Sequence, residues 1–228
     1  MVACWNCGER NPERARFCWN CGARLAIEER AGEDRKVVTV LFCDLVGFTA
    51  MSDHADPEDV KATLRPYHAR MKREIEHFGG TLDKFIGDGA LGVFGAPVAH
   101  EDDPERAVRT ALRIHQAIEE LNKDDPSLRL AARVGVATGE VVVSYGEGPQ
   151  IGESVTGDVV NTASRLQSVA PAGGVVVAES TYRATKQTFE YEALTPVRVK
   201  GKDEPLAIWR PIAVRTDEPT TTGKGHSG

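Results

Sequence analysis

Two groups of residues have types and spacings that could do chemistry. Cys4, Cys7, Cys18 and Cys21 stand as C-x2-C-x10-C-x2-C. Four thiolates so spaced can close a tetrahedral Zn2+ site, and Gly8 and Gly22 fall where each knuckle needs a tight turn. "CWNCGER" at 4–10 returns as "CWNCGAR" at 18–24, which argues against coincidence; a redox CxxC pair is the competing reading. So short a segment cannot bury a core, so one structural Zn2+ would be its main source of folding energy. The second group is acidic. Asp44 ends the apolar run "KVVTVLFCD" (36–44), and Asp88 sits between glycines in "LDKFIGDGALGVFG" (82–95). Two carboxylates on neighbouring strands make a minimal Mg2+ site, completed by water and phosphate. Two metals between such acids can activate a hydroxyl and stabilise a leaving pyrophosphate. Lys84, four residues before Asp88, suits a charged ligand better than a bare hairpin.

The elements that position these groups follow from periodicity. Residues 36–44 read as a buried strand and 82–95 as a hairpin. The stretch 56–80 opens on Asp56-Pro57 and stops at Gly79-Gly80, a helix that Pro66 should kink or divide. In 100–122, Ala107, Leu112, Ile114, Ala117, Ile118 and Leu121 form an apolar stripe behind an Asp103-Pro104 start. Residues 128–146 read as a second hairpin turning at Thr138-Gly139, and 157–174 as a helix ended by Pro171 and two glycines. A strand (175–180), a short helix (179–185) and strands in "FEYEAL", "PVRVKG" and "LAIWRPI" complete the order. That order is not strict βα alternation; it predicts an α+β sandwich with a mostly antiparallel sheet and helices packed on it. The expected organisation is a ribbon over 1–25, a linker over 26–35, a catalytic domain over 36–212 and a disordered tail over 213–228.

Composition excludes several classes. The net charge of −6 argues against nucleic-acid and anionic-membrane binding. Within residues 1–35 six arginines balance six acids, leaving no basic excess on the ribbon. Trp5 and Trp19 offer a surface for a protein partner, although a structural or regulatory ribbon is favoured. No apolar run approaches the roughly 18 residues of a membrane span, and the start lacks the pattern of a signal peptide. A cytoplasmic location is the resulting expectation, with thiols rather than disulfides. Cys43 reads as a small buried residue. The six histidines show no ligand spacing and are expected on the surface or in packing roles.

Four stretches, "VTVLFCDLVGFT", "DKFIGDGALGVFG", "ARVGVATGEVV" and "GDVVNTASRL", resemble in order and spacing the catalytic domain of class III adenylyl/guanylyl cyclases. The resemblance covers about residues 36–212 and implies a ferredoxin-like, palm-type sandwich. It implies that Asp44 and Asp88, with the backbone carbonyl of Leu45, hold two Mg2+ or Mn2+ ions. Asn161 and Arg165, four apart and so on one helix face, would orient the ribose and stabilise charge on the α-phosphate. Arg133 and Lys200 (or Lys202) match positions that contact the β- and γ-phosphates, and Lys84 matches the lysine that reads the purine. A lysine only donates hydrogen bonds; adenine accepts at N1 where guanine carries a hydrogen, so Lys84 favours ATP. The family's second purine reader is usually Asp or Thr; here Ser154 occupies it, or Thr156 if the register differs. The implied activity is conversion of ATP to 3′,5′-cyclic AMP and pyrophosphate in a head-to-tail homodimer. There each site takes its acids from one chain and Lys84, Asn161 and Arg165 from the other. A guanylyl or dual-specificity cyclase is the alternative, as is a weakly catalytic nucleotide- or partner-binding module.

Overall fold

A computed structural model describes residues 2–4, 6–12, 15, 17–23, 33–48, 52, 55–144, 154–198 and 204–215. The chain divides into two compact units, residues 1–34 with 143–154, and residues 35–142 with 155–228. In the first, β1 (Val2–Ala3) pairs antiparallel with β2 (Arg10–Asn11) beside two knuckles of the same construction. Gly8 and Gly22 take φ +75° and +71°, and each amide bonds back to the carbonyl of the knuckle's first cysteine, at 2.8 and 2.9 Å. The left-handed conformation is why glycine recurs there.

The second unit is built on one sheet whose strands lie in the order β4-β5-β3-β6-β8-β10-β9. They are β3 (Glu33–Leu45), β4 (Thr81–Ile86), β5 (Gly89–Phe94), β6 (Ala132–Ser144), β8 (Val175–Ala178), β9 (Phe189–Val197) and β10 (Leu206–Val214). A short β7 (Ser154–Thr156) pairs with β6 off this path. The pairs β4·β5, β3·β5, β8·β10 and β9·β10 are antiparallel and β6·β8 is parallel. The sheet is thus mixed and mostly antiparallel, as the element order predicts.

Helices α1 (Pro57–His77), α2 (Asp103–Asp124), α3 (Asp158–Val169) and α4 (Glu179–Thr185) accompany it. The Asp56 carboxylate caps α1 by accepting from the Glu58 amide at 2.8 Å. Tyr67, Met71 and Ile75 of α1 and Ala107, Ala111, Ile114 and Ala117 of α2 are fully buried with Leu41, Cys43 and Phe94. Where α1 and α2 meet, Arg70 pairs with Glu74 (2.5 Å) and with Glu120, and Arg113 with Glu120 (2.9 Å). Buried Arg70 and Glu74 therefore carry no uncompensated charge.

Two local expectations are corrected. There is no hairpin turn at Thr138-Gly139: β6 runs straight through it. Gly139 is small for a different reason, since a Cβ there would stand 3.3 Å from Val159 of α3. "FEYEAL" and "PVRVKG" do not form two strands, because β9 is continuous from Phe189 to Val197. Its Pro196 is tolerated because β9 ends the sheet, where a missing N–H breaks no inner ladder. Of the two outcomes expected at Pro66, a kink or a division, α1 is not divided. The buried face of that helix compensates for the roughly 3 kcal/mol that an interior proline costs.

Candidate active site

β3 and β5 pair with Cys43 opposite Ala90. Carried two residues further, that register sets Leu45 opposite Asp88. The hairpin linking β4 and β5 has two central residues, Gly87 at φ +62° and Asp88, of which only the first has positive φ, the arrangement of a type II′ turn. Gly87 thus has a conformational reason to be glycine, and Asp88 is held at the tip beside the end of β3. Its Oδ2 accepts the Leu45 amide at 3.2 Å. Facing Asp88, Asp44 is half-buried, and its carboxyl is pushed up to about 6 by desolvation and by the hydrogen bond and charge of Asp88. Two carboxyls close enough to share a proton repel each other once both ionise, and a hard divalent cation between them removes that repulsion. The donor set fits Mg2+ or Mn2+.

Gln167 of α3 donates from Nε2 to Asp44 Oδ2 at 3.2 Å. α3 can come this close because residue 135 of β6 is glycine: a Cβ there would lie 2.2 Å from the Ala163 carbonyl oxygen and 2.4 Å from the Gln167 amide nitrogen. On the other side, His68 of α1 stacks on Phe85, with ring centres 3.9 Å apart, and its Nε2 lies 3.1 Å from the Gly87 carbonyl oxygen. This is a packing role, as expected of the histidines, but it braces the turn that carries Asp88. Cys43 is fully buried beside Tyr67, and desolvation pushes its thiol up to about 12, so it is filler and not a nucleophile.

The remaining sequence-predicted residues do not all gather here. Lys84 lies on the same hairpin, half-exposed, with Nζ 3.2 Å from Asp83 Oδ2. Asn161 is exposed and Arg165 partly buried on α3, and neither side chain bonds another described residue. At 100° per residue they lie roughly 120° and 160° around the helix from Gln167, so they point away from Asp44 of their own chain. Arg133 of β6 is partly buried, and its Nε is enclosed without a partner. Thr156 is exposed in β7. Lys200, Lys202 and Trp5 lie outside the described residues, as does the side chain of Ser154. Gln167, His68 and Asp83 went unread in the sequence. None has a motif of its own; only Gln167's place on a helix carrying two candidate residues pointed toward it.

In the ribbon, the four Sγ atoms all lie within 4.8 Å of one another, with Cys4–Cys21 at 3.6 Å and Cys7–Cys18 at 3.5 Å. Tetrahedral Zn–S bonds of about 2.3 Å require S···S separations of about 3.8 Å, so the cluster fits zinc. Asn6 and Asn20, equivalent in the two knuckles, donate to Cys21 Sγ (3.5 Å) and Cys7 Sγ (3.7 Å). Backbone amides, Cys21's foremost, bring the Cys18 thiol down to about 6. Trp19 is 78% exposed.

An α+β sheet presenting two facing aspartates at a strand end and a hairpin tip defines a nucleotide-cyclase type of catalytic domain. The chain belongs to that family: the profile of the adenylate and guanylate cyclase catalytic domain matches residues 31–209, and that of a zinc-ribbon domain matches 4–25. An adenylate cyclase of Anabaena cylindrica is 32% identical over 80% of this chain and 38% of its own length. Adenylate cyclase 1 of Rhizobium meliloti is 31% identical over 79% and 28%. The chain thus spans about a third of these relatives. Among solved structures, the adenylyl cyclase CyaB of P. aeruginosa superposes with TM-score 0.75 at 29% identity, covering 82% of this chain and 99% of that one. The guanylyl cyclase Cya2 gives 0.73 at 34%, covering 83% and 98%. Among the described residues no helix is long and apolar enough to cross a membrane.

Proposed function

We propose that this protein is an adenylyl cyclase, forming 3′,5′-cyclic AMP and pyrophosphate from ATP in a head-to-tail homodimer. The observation that carries the reading is the facing pair Asp44 and Asp88, with Lys84 four residues away on the same hairpin. The two aspartates and the Leu45 carbonyl would hold two Mg2+ or Mn2+ ions. Those cations supply the acidity that makes a ribose 3′-hydroxyl nucleophilic and shield the phosphate charge. Gln167 and the Leu45 amide orient the carboxylates. Lys84 donates to adenine N1, and Ser154 is the acceptor beside it. Arg133, with Lys200 or Lys202, pairs with the β- and γ-phosphates. Asn161 positions the ribose, and Arg165 meets the charge that grows on the α-phosphate.

Two copies are required on this reading because Asn161 and Arg165 face away from Asp44 of their own chain. One structural Zn2+ on Cys4, Cys7, Cys18 and Cys21 folds the ribbon, whose exposed Trp19 is available to a protein partner. The domain limits on this reading are a ribbon to residue 25, a linker to 35, the catalytic domain to 212 and a tail beyond.

A second reading, a guanylyl or dual-specificity enzyme, is favoured by the likeness to Cya2 and by serine at 154. Incubating the purified dimer with ATP or GTP and Mn2+ or Mg2+, and measuring cyclic nucleotide and pyrophosphate, decides between them. The adenylyl reading expects cyclic AMP in clear excess. Equal turnover of both nucleotides would replace it with dual specificity, and no product from a metal-loaded dimer would remove the enzymatic reading.

A further inference from the structure

The ion pair between Asp83 and Lys84 is one that a regular strand cannot make. Successive side chains of a strand point to opposite faces of the sheet, so neighbours in sequence do not meet. β4 is not regular at this point. Leu82 pairs with Gly92 of β5, and Lys84 with the very next partner, Leu91, so the register slips by one residue at Asp83. This is a β-bulge, in which two residues oppose one and the local side-chain direction is re-aimed. The flanking residues agree. Leu82 and Phe85, three apart, both pack against the hydrophobic core, as only an extra residue between them allows. Asp83 and Lys84 consequently share the other direction.

The two partners differ in setting. The Asp83 side chain is 4% exposed and that of Lys84 46%. No described hydrogen bond satisfies Asp83 Oδ2, and its counter-charge is the Lys84 ammonium 3.2 Å away. Burial pushes the Asp83 carboxyl above its ordinary range, and Lys84 opposes that shift. A buried carboxylate without its cation is costly, so this one holds the ammonium in place.

We infer that Asp83 is a positioning residue that sets base selectivity, the bulge tethering Lys84 so that its ammonium meets an acceptor in one place only. This rests on the assignment of Lys84 as the purine reader. A lysine has four rotatable bonds, and a free one can follow either purine, donating to adenine N1 or to guanine O6. A tethered ammonium, with part of its donor capacity turned to Asp83, accommodates the second geometry poorly. It also loses less side-chain freedom on binding, so ligand affinity gains as well.

The test uses the purified dimer of this chain and two readouts. One is kcat/KM for ATP and for GTP. The other is the Kd of 3′-deoxy-ATP and 3′-deoxy-GTP, which lack the attacking hydroxyl and report binding without chemistry. Asp83→Asn keeps the volume and removes the charge. It is expected to lower the ATP-to-GTP preference about three- to tenfold in both readouts, the scale of one partly exposed charged contact, with kcat for ATP within about twofold. A purely structural role would weaken both nucleotides equally and leave the ratio alone. Asp83→Glu keeps the charge but moves it by one methylene, and is expected to shift the ratio even if Asp83→Asn folds poorly. Unchanged ratios in a folded variant overturn the inference when Lys84→Met does collapse the ratio. An unchanged ratio in Lys84→Met overturns the purine-reading assignment itself.

Discussion

Gln167 and Asp44 are 123 residues apart in the chain and joined by a hydrogen bond of 3.2 Å. That bond reaches from the buried face of a helix to a carboxylate at the end of a central strand, and Gly135 permits it. Gly135→Ala would force the backbone of α3 away from β6, because its methyl has no room against the Ala163 carbonyl or the Gln167 amide. The expected cost is about 1–3 kcal/mol in denaturant unfolding. Cyclase activity should fall further than stability accounts for, since Gln167 is withdrawn from Asp44. Gln167→Ala should reproduce the activity loss with little change in stability.

Asp88→Ala removes the partner of Asp44 and half of the proposed metal site. The proposed dimer should stay intact by light scattering, because Asp88 sits at a hairpin tip outside the core. Cyclic nucleotide formation should be abolished, and Mn2+ titration should show at least a tenfold loss of affinity.

The ribbon should be unfolded by chelation. Stripping zinc at neutral pH is expected to abolish amide protection in the ribbon, since among its described residues the two-residue strands β1 and β2, the knuckle turns, Asn11 and two buried cysteines make too small a core to fold unaided. Cys18→Ser should act likewise without chelator. Retained protection in either experiment would contradict a structural zinc.

His115 on α2 provides the pH dependence. Burial lowers its pKa below the ordinary 6.5, and its Nε2 is enclosed without a partner. The unfolded chain then binds a proton more readily than the folded one. Stability should therefore be full above pH 6.5 and decline as pH falls through that value toward the lowered one. Asp44, raised to about 6, contributes a slope of the opposite sign, so the difference in urea midpoint between wild type and His115→Leu isolates the histidine.

What could be read from the chain was whatever depends on near neighbours. The cysteine knuckles need only a glycine at fixed distance, and both glycines take the positive φ that the spacing implies. The turn at Gly87-Asp88 and the cap at Asp56 are likewise local. The same local logic failed at Thr138-Gly139, where a glycine that gives a neighbouring helix room resembled one that makes a turn. It failed again at Asp83, whose direction depends on a register slip that no residue in β4 announces.

The sequence by itself determined the two carboxylates, the four thiolates, the family and the order of elements, because these rest on residue type and short spacing. Only the tertiary structure decided that Asp44 faces Asp88, that Gln167 holds Asp44, and that Asn161 and Arg165 therefore lie on other faces of α3 than the one turned to Asp44. Strand register, the hand of a helix against a sheet, and the approach allowed by one missing methyl set those relations, and each belongs to the packed chain as a whole.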